Sequence, residues 1–421
     1  MGSVEGIDYL GDVPQGVLEN ILSRLPIRDA VMTSFLSRKW RYRWSTMTHL
    51  VFDDQCIGEC SNHSLIAPRL VNFVTRVLFL HQGPIHKFHL STGHLQCVAD
   101  FDQWILFLSR SEVKELILEL GEEEWFKMPS CLFSCQKLTR LELYRCEFDP
   151  PSNFTGFPCL KNLSLHQVLV APEAVETLIS SCSLLETLSL SYFDNLAVRI
   201  SAPNLRYLWL EGEFKDIILE NTPLLVRMSV SMYMTDETAE HLELSSNCNF
   251  IKFLGGVPKL ERLIGFIYFT KYLSLGDYPR QLPIKYENLK MIELYQVSFE
   301  DAQEIRVVLC LITNSPNLRE FHLSGSSINP TCGETPDLDF WVEECPKNCR
   351  FDQLKVVSMT DMSGMPHEME FIKFLLLSSS VLETISITPC SYVLNGKINM
   401  LVQLVKFRRA SSQAEILFIQ D

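Results

Sequence analysis

Several features common in long chains are scarce or missing here, and each absence removes a class of function. The 421 residues contain no apolar run near the roughly 18 to 20 needed to span a bilayer, so no membrane-crossing helix is expected. The start, Met1-Gly2-Ser3-Val4-Glu5-Gly6, has no apolar signal-peptide core, and Gly6 stands where a myristoylation motif wants Ser or Thr. Clustered positive charge is also scarce. Thirty-seven Lys and Arg face 51 Asp and Glu, for a net charge of −14, whereas a nucleic-acid binder needs grouped cations to neutralise phosphates. The two basic runs, Arg38-Lys39 with Arg41 and Arg43, and Lys406 with Arg408-Arg409, are short and read as solvated faces.

Templates of catalysis are missing as well: no Gly-rich phosphate loop, no Gly-x-Ser-x-Gly elbow and no His-Glu-x-x-His. His367-Glu368 begins like the last of these, but Phe371 stands where its second His belongs. Fourteen cysteines are scattered without a framework and read as reduced thiols in the cytosol or nucleus. Cys56-x3-Cys60-x2-His63, and Cys332 with Cys345-x3-Cys349, each lack a full second pair at finger spacing, so no metal or other cofactor is expected. A Cys–His catalytic pair stays open among these residues, with no spacing that singles one out.

What is present is a folded composition, 47% hydrophobic and 21% charged, in a chain too long for one ordinary core. Two or three domains, or an extended repeat structure, must accommodate it. Near the N-terminus, Asp12 can cap a helix with Pro14 in its first turn and Gln15 in capping-box position. Leu18, Ile21, Leu22 and Leu25 then recur at i, i+3, i+4 and i+7, and Pro26 stops the helix. A second helix is expected over 28–36, with Ala30, Val31, Ser34 and Phe35 available for packing. Ser37 can cap a third, which places Trp40 and Trp44 on one face. Three short helices cannot bury all this apolar surface among themselves, so a partner is implied.

Val13-Pro14, Leu18, Ile21-Leu22, Leu25-Pro26, Asp29-Ala30-Val31, Ser34, Leu36-Ser37-Arg38-Lys39-Trp40-Arg41 and Trp44 together resemble an F-box, over residues 8–48. Val13-Pro14 stands where the family usually has Leu-Pro. The resemblance implies docking onto a Skp-type adaptor, which in turn holds a cullin and the ubiquitin-conjugating enzyme. Buried aliphatic and aromatic anchors dominate such contacts, which points to Val13, Pro14, Ile21, Leu22, Leu25, Pro26 and Trp40 as adaptor-binding residues. Leu18 and Val31 read as internal core.

The remainder repeats Leu-x-x-Leu-x-Leu with aliphatic substitutions. Copies are Val113-Leu116-Leu118, Leu138-Leu141-Leu143, Leu160-Leu163-Leu165, Leu185-Leu188-Leu190, Leu205-Leu208-Leu210 and Leu225-Met228-Val230. Later ones include Leu289-Ile292-Leu294, Leu318-Phe321-Leu323, Leu354-Val357-Met359 and Leu382-Ile385-Ile387, with Ile85-Phe88-Leu90 as the first and Ala414-Leu417-Ile419 as the last. Starts lie from 20 residues apart (Leu185 to Leu205) to 36 (Leu318 to Leu354), too irregular for propeller blades and suited to leucine-rich repeats. The expected unit is a short strand, a helical return such as Pro172–Cys182, and the next strand in parallel. The segment 324–350 is expected to be an irregular inserted loop.

In such a unit the leucines are structural, and the alternate strand positions point out of the concave face. These are Arg140, Glu142, Tyr144, Asn162, Ser164, His166, Tyr207, Trp209, Glu211, Arg227, Ser229, Met291, Glu293, Tyr295, Glu320 and His322. Arg140, Tyr144, His166, Tyr207, Trp209, Arg227, Tyr295 and His322 are the candidates for substrate contact. No dense Lys/Arg cluster lies among them, which counts against a polyanion cofactor.

The segments 81–90 and 104–118 resemble the spacer and first repeats of plant F-box leucine-rich-repeat proteins, and the tail from Phe351 resembles their FBD module. The expected fold is an α/β solenoid: a flexible start at 1–7, a three-helix F-box at 8–48, spacer and first repeat at 49–110, leucine-rich repeats at 111–350 and FBD-like repeats at 351–421. The implied function is a non-catalytic substrate receptor of a ubiquitin ligase that binds a protein substrate, with no nucleic-acid or membrane partner. A ligand-dependent receptor of the same architecture and a plain binding scaffold remain alternatives.

Overall fold

The computed structural model describes residues 14–36, 40–57, 65–95, 100–121, 125–234, 249–275, 285–326, 339–344, 349–391 and 396–419. Val13, Asp12 and Ser37–Lys39 lie outside them. The chain divides into two compact units, Met1–Leu185 and Glu186–Asp421.

The first unit opens with a helix, Gln15–Leu22, in which Pro14 sits at the N-cap (φ −55°, ψ 143°), two positions earlier than the sequence implies. Leu18 and Leu22 turn inward and are buried. Pro26 caps the next helix, Ile27–Met32, which tightens into a 3-10 turn over Thr33–Phe35. The third helix is not an α-helix. Trp40 lies in a turn and Trp44 in a four-residue 3-10 segment, Arg43–Thr46. A polar tie fixes this bend: the Trp44 Nε1–H donates to Ser34 Oγ at 3.1 Å, and the Ser34 hydroxyl donates to the Arg41 carbonyl at 2.7 Å. Both indoles are thereby buried beside Leu18, Leu22, Ile27 and Ala30 as the core residues of the module.

Strand β1 (His49–Phe52) follows immediately, one repeat earlier than expected. It pairs in parallel with β2 (Lys87–Ser91), and the helix Ile66–Leu80 lies between them in sequence. Strands β3 (Glu115–Glu119), β5 (Arg140–Tyr144) and β7 (Asn162–His166) extend the row in parallel, while β4 (Phe126–Lys127) and β6 (Cys146–Glu147) form a small side pair. Leu50, Phe88, Leu116, Leu141 and Leu163 fall in one register, each at most 1% exposed. The return Pro172–Ser181 is a helix that buries Val175, Leu178 and Ile179, as its periodicity predicts.

The second unit contains β8 (Thr187–Ser201), β9 (Tyr207–Glu220), β10 (Arg227–Met232), β11 (Arg262–Gly265), β12 (Met291–Val297), β13 (Glu320–Gly325), β14 (Val356–Met362), β15 (Thr384–Pro389) and β16 (Glu415–Phe418). All pair in parallel in chain order. Leu188, Leu208, Met228, Leu263, Ile292, Phe321, Val357, Ile385 and Ile416 form one continuous ladder. Successive side chains alternate between faces, so this ladder is the core row and its neighbours form the open face.

Two returns differ from the helical expectation. Strands β8 and β9 run on as extended chain, their second halves pairing Ala197–Ser201 with Asp216–Glu220. A spacing of 20 residues leaves too little chain for a helix, and the alternating Leu196, Val198 and Ile200, all buried, suit a strand. At the bend Gly212 has φ +144°, and a Cβ there would meet the Phe193 carbonyl oxygen at 2.6 Å. The later returns are helical, including Ala302–Thr313, Pro366–Ser378 and Gly396–Lys406. Most of the segment expected as an irregular loop lies outside the described residues, but Phe340–Glu344 within it is helical.

Candidate functional site

The helical module presents two apolar stripes on its first helix. Leu18 and Leu22 face the core; Val17 and Ile21, also four residues apart, are 48% and 41% exposed. The following helix and turn add Met32, Phe35 and Leu36, and the Phe35 ring is 81% exposed. Phe35 is therefore corrected from a packing residue to a surface residue. Of the residues expected at the adaptor interface, Pro14, Ile21 and Pro26 are exposed and Leu25 is half-buried. Leu22 and Trp40 are corrected: at 2% and 3% exposure they are core residues, not surface anchors. Val17, Met32, Phe35 and Leu36 are exposed apolar residues that the predicted stripe did not include, and the stripe itself splits, with Leu18 and Leu22 buried and Ile21 exposed. The surplus apolar residues off that stripe were the available signal.

On the strand face of the first unit, Tyr144 and His166 are register partners with ring centroids 5.1 Å apart. Arg140 is held by Glu142, its Nε–H donating at 2.7 Å. Burial, then the Glu142 and Glu119 carboxylates, push the Tyr144 phenol up, so it stays a neutral donor.

The second unit carries a denser arrangement. Trp209 on β9 leans to Phe266, just beyond β11, with ring centroids 5.7 Å apart. Between them β10 offers only Ser229 and Ser231 on this face, small enough to leave room. Phe266 stacks on Tyr295 of β12 at 5.2 Å and an interplanar angle of 8°. Tyr207 supports the Arg227 guanidinium 5.7 Å above its ring. The polar edges of the row end on two carboxylates. Glu211 accepts from Tyr233 Oη at 2.8 Å and Trp209 Nε1 at 3.4 Å; Glu293 accepts from Tyr295 Oη at 3.1 Å and Arg262 at 2.5 Å. Burial and these carboxylates raise the phenols of Tyr233 and Tyr295. Tyr207, Trp209, Arg227 and Tyr295 are thus brought together, whereas His322 sits on β13 against Glu320 at 3.7 Å. Phe266, Arg262 and Tyr233 were missed. Phe266 and Tyr233 continue the alternate parity past the last core position of their strands, and Arg262 lies on β11, where the leucine pattern shortens to Leu260-x-x-Leu263.

Residues with the chemistry of catalysis have structural partners. Glu304 is buried and accepts from Thr270 Oγ1 at 2.6 Å and the Ser298 N–H at 3.3 Å; burial pushes its carboxyl up to about 7. Glu368 holds the turn before its helix, accepting from the N–H groups of Ser363, Gly364 and Met365, and His367 Nδ1 accepts from Trp341 Nε1 at 3.0 Å. Burial pushes the thiols of Cys135 and Cys146 up to about 12, which keeps them protonated and poorly nucleophilic. Among the described residues no group of three or more His, Cys, Asp or Glu is placed to hold a metal, and no helix is long and apolar enough to cross a membrane. Cys60, His63, Cys332 and Cys345 lie outside them.

Comparison with known proteins places these surfaces in a family. The F-box domain model matches residues 10–51, the leucine-rich-repeat model of FBD-associated F-box protein At5g56370 matches 101–323, and the FBD model matches 343–387. The Arabidopsis thaliana F-box/FBD/LRR-repeat protein At1g13570 is 55% identical over 417 residues, covering 99% of this chain and all of the relative. The F-box/FBD/LRR-repeat protein At5g56420 of the same plant is 28% identical over 98% of this chain and 99% of its own length. With its repeats, its N-terminal module and its tail all matched in order, the chain belongs to the F-box/FBD/LRR-repeat family.

Proposed function

We propose that this chain is the substrate-recognition subunit of a Skp–cullin–F-box ubiquitin ligase, working in the cytosol or nucleus. The observation that carries the reading is the set of Val17, Ile21, Met32, Phe35 and Leu36, five large apolar side chains 41% to 81% exposed within the F-box match. Exposed apolar side chains of this size stay in water only at a cost, and covering them with an apolar adaptor surface recovers the hydrophobic free energy. The row Trp209–Phe266–Tyr295 supports the second half of the reading, recognition of a protein. Broad rings held by their polar edges bind with little loss of side-chain freedom, as interface hot spots do. The chain itself performs no bond chemistry in this scheme. It raises the effective concentration of the substrate beside the conjugating enzyme.

The test is co-purification of the intact chain and a form lacking residues 1–48 with a Skp-type adaptor. Capture by the intact chain and none by the truncated form is the expected result. Equal capture by both would refute the assignment.

A further inference from the structure

Among the described residues, the helical return Gly396–Lys406 leaves an apolar surface exposed. Helix Gly396–Lys406 buries Met400 and Leu404, with Met400 seated against Gly364, where an added Cβ would lie 3.0 Å from the Met400 methyl. On the roughly opposite side, Ile398, Val402 and Val405 recur at i, i+4 and i+7 with exposures of 70%, 48% and 78%. Three β-branched residues weaken an exposed helix slightly and contribute no core packing in return. Such a stripe fits a second helix lying along it.

Charge decides what that helix carries. The chain as a whole has 51 acidic residues, yet between Glu383 and Glu415 there is none, while Lys397, Lys406, Arg408 and Arg409 all fall in that interval. Lys406 and Arg408 are exposed beside the stripe, and Arg409 is tied to the Ala414 carbonyl at 2.8 Å. An apolar stripe flanked by cations complements an amphipathic helix flanked by carboxylates. A membrane fits less well: the stripe is narrow and has no aromatic residue, and a net charge of −14 repels an anionic bilayer. We propose that Gly396–Lys406 and the basic segment after it form a second docking surface, for an acidic amphipathic helix of a partner protein. This surface is independent of both adaptor docking and the strand face.

Selection from a displayed library of helical 16-residue peptides, with the full chain as bait and the variant I398S/V405S as counter-bait, tests the idea. The expected winners combine apolar residues at i, i+4 and i+7 with net negative charge. Their affinity falls by more than about tenfold in I398S/V405S and in K406E/R408E, with unchanged thermal unfolding. Winners without net negative charge, or winners that bind both variants as well as the parent, overturn the proposal. So does capture by phosphatidylserine vesicles with no peptide binding. Concentration-dependent dimerisation in sedimentation velocity that I398S/V405S abolishes would assign the stripe to a second copy and also overturn it.

Discussion

Replacing Phe35 with alanine separates adaptor docking from folding. The ring is 81% exposed in the free chain, so most of its apolar surface is available to a partner and little is used by the module itself. Burying a Phe side chain fully is worth about 3 kcal/mol at the upper end, and four-fifths of that gives roughly 2 kcal/mol, or about a 30-fold weaker Kd for F35A. Thermal stability should change by less than about 0.5 kcal/mol, as for most surface substitutions. Leu22→Ala is the counterpart. Leu22 is 2% exposed, and its truncation leaves a cavity that costs about 2–5 kcal/mol of stability, so it reduces adaptor binding only by loosening the module. Titration calorimetry with purified Skp-type adaptor gives the affinities, and a near-ultraviolet circular dichroism melt gives the stabilities. If F35A binds as tightly as the parent, or melts as early as L22A, the division between outward and inward stripes is wrong.

Glu304 makes stability pH-dependent: its carboxyl titrates near 4.5 unfolded and about 7 folded, so the folded chain holds a proton through that interval. Stability is full below the lower value and is lost as the pH rises through about 7, by up to roughly 3 kcal/mol. E304Q, with Thr270, Ser298, Asp301 and Lys271 left in place, should therefore gain on the parent between pH 5 and pH 8; parallel melting curves would contradict this. Gly212→Ala should destabilise by more than about 2 kcal/mol in chemical denaturation, because the new methyl meets the Phe193 backbone at an unfavourable φ. Trp209→Ala should leave adaptor binding and folding intact. In proximity labelling under proteasome inhibition it should lose neighbours that the intact chain labels; an unchanged set would remove Trp209 from the recognition surface.

Most strands were legible because Leu-x-x-Leu-x-Leu marks both the core row and the alternate face with three residues; the expected last copy is corrected by one residue, since Ile416 rather than Leu417 pairs with Ile385 and Leu417 and Ile419 are exposed. Strand β1 obeys the same rule as Met47-x-x-Leu50-x-Phe52, but methionine and phenylalanine replace two leucines and the segment runs straight on from the helical module. Returns were less legible. The 20-residue spacing around Leu205 carried the signal for extended chain, since a helix needs more residues to cross the same repeat. The faces of the short N-terminal helices were hardest, because a helix of two turns can present apolar residues on both sides and only tertiary packing decides which is buried. The ring row was half legible. Tyr207, Trp209 and Tyr295 hold strand positions, while Phe266 keeps the open-face parity but lies one residue beyond its strand end, where the leucine pattern has stopped.

The unbroken ladder from Leu188 to Ile416 has an evolutionary consequence. Alternation along each strand assigns packing to one set of residues and leaves the set between them on the open face. A substitution at an open-face position such as Ser229 or Tyr295 therefore perturbs little of what holds the chain together. Lineages can exchange these residues freely while every strand keeps its register. Relatives 25% and 28% identical still align along nearly their full lengths. Under the recognition role proposed above, such a fixed grid would let targets be gained or lost without rebuilding the core that carries the open face.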